Sequence, residues 1–297
     1  MTLIAIIIFI ATYTGVAFGR IPYLSLDRTG IALLGAIAMV VTKVLSTNQA
    51  FESIDAPTII LLFSLMIISA QFRLSGFYTE IASRISRLMN KPKRFLLVMM
   101  FTSAILSAIL ANDIICLAFT PVLLYSIIQT GLNPFPFLIG LAVSSNIGSA
   151  ATIIGNPQNM LLGQIGNLSF RDFFVWCTPP SVISLFGSYL IISLIYQKSF
   201  NKKYPVKSNG QIQSLPAFNY HQTLKGIVVT VIVIILFFLK FPREISAVAL
   251  AGVLLCSRKM HTRTIMGLID WHLIILFCSL FIVIQGLEVT QLPSLLI

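Results

Sequence analysis

The chain has 297 residues, of which 57% are hydrophobic and only 10% charged, with a formal net charge of +11. A soluble domain of this length needs far more charge to cover its surface, so the composition excludes a water-soluble protein and predicts a polytopic membrane protein. The basic residues cluster in a few loops, which membrane topology explains better than a nucleic-acid partner. The expected surroundings are therefore a lipid bilayer, with no nucleic acid.

In chain order, the opening stretch MTLIAIIIFIATYTGVAFGR lacks a basic leading region and runs apolar too long for a cleaved signal. It predicts a retained helix over 2–18. Apolar runs of about 17 residues follow at 29–45, 57–72, 95–111, 113–128, 135–166 (interrupted), 178–196, 226–239, 245–257 and 272–287. Backbone polar groups in lipid must be satisfied within their own segment, so the expected fold is all-α. The short alternating segments of a barrel are missing. Asp55 and Asp270 each open a run and are read as helix N-caps. Arg171, Asp172, Phe173, Phe174 and Trp176 predict an interfacial amphipathic turn with an aromatic anchor. Lys43 and Arg20 are expected to snorkel from helix ends. His221, His261 and His272 are isolated, and Cys116, Cys177, Cys256 and Cys278 form no CxxC pair. Neither set suggests a metal or redox site, and no cofactor is expected beyond a coupling Na⁺ or H⁺.

Arg73, Arg84, Arg87, Lys91, Lys93 and Arg94 crowd the loop 73–94, and Lys198, Lys202, Lys203 and Lys207 crowd 198–220. Both loops are expected on the cytoplasmic side of the cell membrane. The second is also the longest polar stretch and divides the chain. Across it the sequence repeats weakly: Ile54-Asp55 through Ser64 returns as Ile269-Asp270 through Ser279, a shift of 215. Arg20-Ile-Pro22 is echoed by Lys240-Phe-Pro242, and Ala32-Leu33 with Gly35 by Ala249-Leu250 with Gly252. Seven runs precede the second copy, an odd number, so that copy enters the membrane the opposite way round. Arg258, Lys259 and Arg263 then fall inside, whereas Lys240 and Arg243 fall outside as exceptions. The expected architecture is an inverted-topology repeat transporter with its site at the repeat interface. Its divisions are a first repeat over 1–197, a cytoplasmic linker over 198–221 and a partial second repeat over 222–297. A re-entrant hairpin is expected at about 95–129 and a broken helix at about 135–166. Residue 297 corresponds to about residue 82 of the first copy, so roughly 115 residues of a complete second copy would lie beyond it. A C-terminally truncated chain is the expectation.

Two polar interruptions break the first half. One is Asn112-Asp113, between two apolar runs. A carboxylate at membrane depth costs a few kcal/mol, so such residues tend to mark ion or proton sites. The alternative is a loop tip at the membrane surface, where Asn-Asp is ordinary turn chemistry. The other interruption is SSNIGSAATIIGNPQN over 144–159. The half-helices 135–144 and 158–166 are each too short to cross alone. Gly148, Gly155 and Pro157 are read as unwinding the helix between them, which lipid tolerates only where the backbone lines a cavity or site. Half-helix N-termini favour anions and freed carbonyls favour Na⁺, while Ser145, Asn146, Thr152, Asn156 and Asn159 supply neutral donors and acceptors for either. The alternative is a kinked helix packed through small residues.

With these residues in view, the chain resembles the ion transporter superfamily, specifically the citrate-transporter-like or ArsB/NhaD-type permeases. LANDIICLAFTP (110–121) is similar to that family's hairpin motif, and SNIGSAATIIGNPQN (145–159) to the motif in its broken helix. The resemblance implies that Asn112 and Asp113 sit at a hairpin tip facing Ser145, Asn146, Gly148 and Thr152, where a cation and part of the substrate bind. Gly155, Asn156, Pro157 and Asn159 would shape the unwound turn, and any Na⁺ would be held near Asn112, Ser145 and Asn146. Gln158 stands where many relatives have proline, and Asp113 replaces the threonine of the dicarboxylate-symporter tip. A carboxylate there repels an anion unless it is protonated or paired with a cation, which favours H⁺ or Na⁺ coupling. The resulting expectation is a secondary active transporter of a small inorganic or organic anion, with a Na⁺/H⁺ antiporter as the alternative. A channel-like pore is a further reading, since Asn-Pro-x-Asn resembles one copy of the water-channel signature. An inactive fragment is another, and a homodimer is left open. No intramembrane HExxH, GxSxG or paired-aspartate motif supports an enzyme.

Overall fold

The structure is a computed structural model and describes residues 1–19, 25–110, 112–201, 217–239, 241–257 and 260–291. Arg20, Pro22, Ala111, Lys202, Lys203, Lys207, Lys240, Arg258, Lys259 and residues 292–297, all used above, lie outside the described residues. Among the described residues the chain is helical, without strands. It divides into two compact units, one of Met1–Ile60 with the chain from Asp270 on, the other of Leu61–Ile269.

The first unit holds α1 (Thr2–Phe18), α2 (Arg28–Val41), the short α3 (Thr47–Glu52), the start of α4 (Ala56–Leu74) and α14 (Trp271–Glu288). The starts of α2, α3 and α4 follow from side-chain caps, whereas α1 follows Met1 without one. Asp27 accepts from the Gly30 N–H at 2.8 Å, Ser46 and Gln49 form a reciprocal capping box, and Asp55 accepts from the Thr58 N–H at 2.8 Å. Asp270 caps α14 in the same way, accepting from Leu273 N–H at 3.0 Å. Both aspartates read as caps are caps. Lys43, with φ 60°, takes a left-handed conformation, which is why α2 ends at Val41, short of the expected residue 45. Ala5, Ala36, Met39, Leu45 and Val283 form the core of this unit.

The second unit carries the rest of α4, then α5 (Phe77–Ser86), α6 (Pro92–Leu110), α7 (Asn112–Gln129), α8 (Phe135–Ser149), α9 (Pro157–Ile165) and α10 (Phe170–Ile195). After the divider come α11 (Tyr220–Phe238), α12 (Arg243–Leu255) and the short α13 (Thr262–Met266). α6 and α8 share the most extensive packing, and Phe95, Met99, Met100, Phe137 and Leu141 are buried. The Phe95 and Phe137 rings lie 4.9 Å apart between centroids. α5 is amphipathic and was not legible as an apolar run. It buries Tyr78, whose hydroxyl pairs with Ser69 at 2.8 Å, and carries the Glu80–Arg84 ion pair on its outer side. Burial pushes the Tyr78 phenol above its ordinary range.

Two of the helix boundaries that differ from the sequence reading bear on the site. α10 begins at Phe170, because Ser169 caps it by accepting from the Asp172 N–H at 3.0 Å, and it runs unbroken through Pro179 and Pro180. The stretch read as an interfacial turn is thus its first turns. Those prolines remove the N–H groups that would bond the Val175 and Trp176 carbonyls but do not end the helix. α8 continues to Ser149, so Ser144, Ser145, Asn146 and Gly148 are helical and the break covers only 150–156.

Six described helices are long and apolar enough to cross a membrane: α4, α6, α7, α10, α11 and α14. The starts of α2, α3 and α4 at residues 28, 47 and 56 recur as the starts of α12, α13 and α14 at 243, 262 and 271, each 215 residues on.

Candidate functional site

α6 ends at Leu110, α7 begins at Asn112 and the two helices pack against each other, so Asn112 and Asp113 form the first turn of α7 at the tip of a helical hairpin. The tip reaches α8 through a connected set of hydrogen bonds. Ser145 Oγ donates to the Asn112 carbonyl at 2.9 Å and pairs with Ser107 Oγ at 2.8 Å. Asn112 Nδ2 donates to Asn146 Oδ1 at 3.0 Å, and Asn146 Nδ2 donates to the Ala142 carbonyl at 2.9 Å. The carbonyl of Ala142 can only accept, so it fixes the orientation of Asn146 and, through it, of Asn112. Asn112 Oδ1 is then left buried with no hydrogen-bond donor among the described residues. Asp113 beside it is exposed.

The close approach of the two helices depends on Gly148. A Cβ at this position would collide with the backbone of Ala104 on α6, so only glycine permits this contact. Gly148 therefore serves packing within α8, and the unwinding assigned to it starts two residues later. Thr152 Oγ1 ties the break to α6 by donating to the Ala108 carbonyl at 2.5 Å.

Within the break, the polar side chains mostly hold the backbone. Asn156 is the N-cap of α9 with φ −151°, accepting from the Asn159 N–H at 2.8 Å, and Pro157 takes the first helical position, which suits its fixed φ. Asn156 Nδ2 lies 3.3 Å from Ser149 Oγ and 3.4 Å from the Ser149 carbonyl. Asn159 Nδ2 donates to the Thr152 carbonyl at 2.9 Å and to the Ser149 carbonyl at 3.3 Å. Gly155 folds back on the Ser149 carbonyl, leaving no room for a Cβ. Carbonyls freed by the unwinding thus meet asparagine amides.

The structure brings Asn112, Ser145 and Asn146 into one bonded group with Asp113 adjacent. It places Asn156 and Asn159 in the turn and Thr152 and Gly148 against α6. Ser107 was missed in the sequence; its signal is the run Ser103, Ala104, Ser107, Ala108, small residues three and four apart on one helix face. On another side of Gly148 and Thr152 lies a cavity of about 480 Å³, whose lining includes Phe101, Ile105, Ile147, Phe170 and Phe238 and no charged side chain. Such a lining does not suit an anion.

A chain of apolar helices, several long enough to span, with a broken helix bonded to a hairpin tip, is a multi-pass membrane protein of transporter type. Residues 4–297 match the profile of the citrate transporter family, CitMHS, and the chain belongs to that family. It is 28% identical over 311 residues to a 46 kDa membrane protein of Mycobacterium leprae, covering 99% of this chain and 70% of that one. It is 32% identical over 184 residues to a silicon efflux transporter of Oryza sativa subsp. japonica, covering 62% of this chain and 38% of the plant protein. It is also 28% identical over 301 residues to an uncharacterized transporter of Mycobacterium bovis, covering 98% and 69% of the two chains.

Proposed function

We propose that this chain belongs to a secondary active transporter of a small anion, an inorganic oxyanion or a carboxylate, driven by H⁺ or Na⁺. One observation carries the reading: Asn112 Oδ1 is buried at the hairpin tip with no donor among the described residues. An unsatisfied buried acceptor costs about 1–3 kcal/mol, and a cation relieves that cost. Asn146 Oδ1 and Ser145 Oγ are bonded to Asn112, and the Asp113 carboxylate next in sequence supplies charge for the same cation. The N-terminus of α9 adds the positive end of a helix dipole, which suits an anion. The family description supports a carboxylate such as citrate, and the plant relative, named for silicon efflux, supports an inorganic substrate.

Division into a first repeat over 1–197, a linker over 198–221 and a second repeat from 222 on is supported by the common 215-residue shift of three helix starts. The segments 73–94, which holds α5 rather than a loop, and 198–220 are assigned to the cytoplasmic side of a cell membrane by their basic residues. A Na⁺/H⁺ antiporter is the second reading, favoured by the acidic side chain at the tip. The test is uptake of labelled citrate, silicic acid or arsenite into proteoliposomes under an imposed Na⁺ or pH gradient. Saturable, gradient-driven uptake is expected. Na⁺ and H⁺ exchange without any anion would select the antiporter, and conductance without gradient coupling would sink both.

A further inference from the structure

Arg243 breaks the charge pattern of the loops, and the structure gives it a different task. It opens α12 and reaches back 80 residues to the far end of the broken helix: its Nη2 donates to the Gly163 carbonyl at 2.9 Å and to Gln164 Oε1 at 3.2 Å. Gln164 Nε2 in turn lies 3.3 Å from Glu244 Oε2, so the first two residues of α12 grip both faces of the Gln164 amide. The place is the C-terminal turn of α9. There Leu168 N–H bonds Gly163 O at 3.0 Å and Asn167 N–H bonds Gln164 O at 3.1 Å, with Asn167 at φ 47°. That is a Schellman end, and its carbonyls carry the negative end of the α9 dipole, where a cation is favoured. Gly163 makes the approach possible: a Cβ there would lie 2.9 Å from Arg243 Nη1 and 2.8 Å from Ile153 Cγ2. Ile153 belongs to the unwound stretch and is fully buried. A continuous contact therefore runs from the break, through Gly163, to Arg243.

We propose that Arg243, aided by Glu244, is a positioning residue for the broken helix: it fixes the C-terminal end of α9 and through it the Asn156–Asn159 turn at its other end. α9 has nine residues, so a shift at one end is felt at the other. The role in transport rests on the transporter reading above; the role in placing α9 does not.

The test uses the full chain in membranes, with Cys116, Cys177, Cys256 and Cys278 changed to alanine. Gln158, exposed in the first turn of α9, is changed to cysteine as a reporter of maleimide labelling. Arg243→Ala, which loses both charge-assisted hydrogen bonds to α9, is expected to speed labelling at least about tenfold. Arg243→Lys keeps the charge but loses the planar fork, and should stay within about threefold of the parent. Gly163→Ala, which pushes against the guanidinium, should act in the same direction as Arg243→Ala and serves if that variant does not fold. Labelling of a Ser103→Cys reporter, buried in α6, should not change. Equal labelling of the Gln158→Cys reporter with and without the Arg243→Ala substitution overturns the proposal, and so does a parallel rise at Ser103→Cys, which would mean general unfolding. In the uptake assay, Arg243→Ala should lower the maximal rate and Arg243→Lys restore it. A wild-type chain without uptake defeats the transporter reading while the labelling result still decides the placement of α9. Faster labelling with unchanged uptake overturns the transport role.

Discussion

The hairpin tip between α6 and α7 and the break between α8 and α9 are alike in sequence, both asparagine-bearing interruptions of apolar helices, yet they use their polar groups differently. In the break, Asn156 and Asn159 direct their amides at the Ser149 and Thr152 carbonyls, and the turn is closed by its own side chains. At the tip, the orientation set by Ala142 leaves the Asn112 acceptor buried and without a donor among the described residues. Composition alone makes both look like ligands. Hydrogen-bond accounting separates a turn that keeps its shape from a tip prepared for something else.

Four substitutions test that separation, from the largest expected effect on stability to the smallest. Gly148→Ala drives a methyl into the Ala104 backbone and forces α6 and α8 apart, so it should disrupt tip and break together. A loss of at least about 1–3 kcal/mol is expected, read as a large fall in melting temperature or no folded protein. Asn159→Ala leaves the Thr152 carbonyl without its donor and should cost about 1–3 kcal/mol while any stabilisation by Na⁺ at the tip survives. Asn112→Ala removes one neutral hydrogen bond to Asn146 and relieves a buried acceptor, so the expected loss in Na⁺-free buffer is below about 1 kcal/mol. Its signature is loss of the rise in melting temperature with Na⁺, which reflects a stabilisation of about 1.4 kcal/mol when Na⁺ is tenfold above its dissociation constant. If Asn112→Ala destabilises as much as Asn159→Ala, the two turns do the same work and the comparison fails. Asp113→Asn should leave expression and the melting temperature in Na⁺-free buffer as they are and abolish ion coupling. Unchanged pH and Na⁺ dependence of uptake would remove Asp113 from the site.

Much of this arrangement was legible in the residues. Long apolar runs marked the spans, and Asp55 and Asp270 marked two helix starts, since caps and hydropathy are local properties. The weak repeat found through Ile54-Asp55 and Ile269-Asp270 has the same 215-residue shift as three helix starts. What stayed hidden depends on partners distant in sequence. Gly148 reads as a breaker until Ala104 is seen pressed against it. That the amides of Asn156 and Asn159 meet the Ser149 and Thr152 carbonyls cannot be read from their own residues. Ser107 needs Ser145, 38 residues on, to stand out. α3, α5 and α13 are short and polar on one side, so no apolar run announces them.

Only four residues of chain, 239–242, connect α11 to α12. A segment of that length reaches at most roughly 14 Å when fully drawn out. Arg243 follows it directly and is hydrogen-bonded to the end of α9. The tether is therefore mechanical as well as chemical: once this connection is drawn out, α9 cannot travel further without either tearing the guanidinium from the Gly163 carbonyl or pulling α11 along with it.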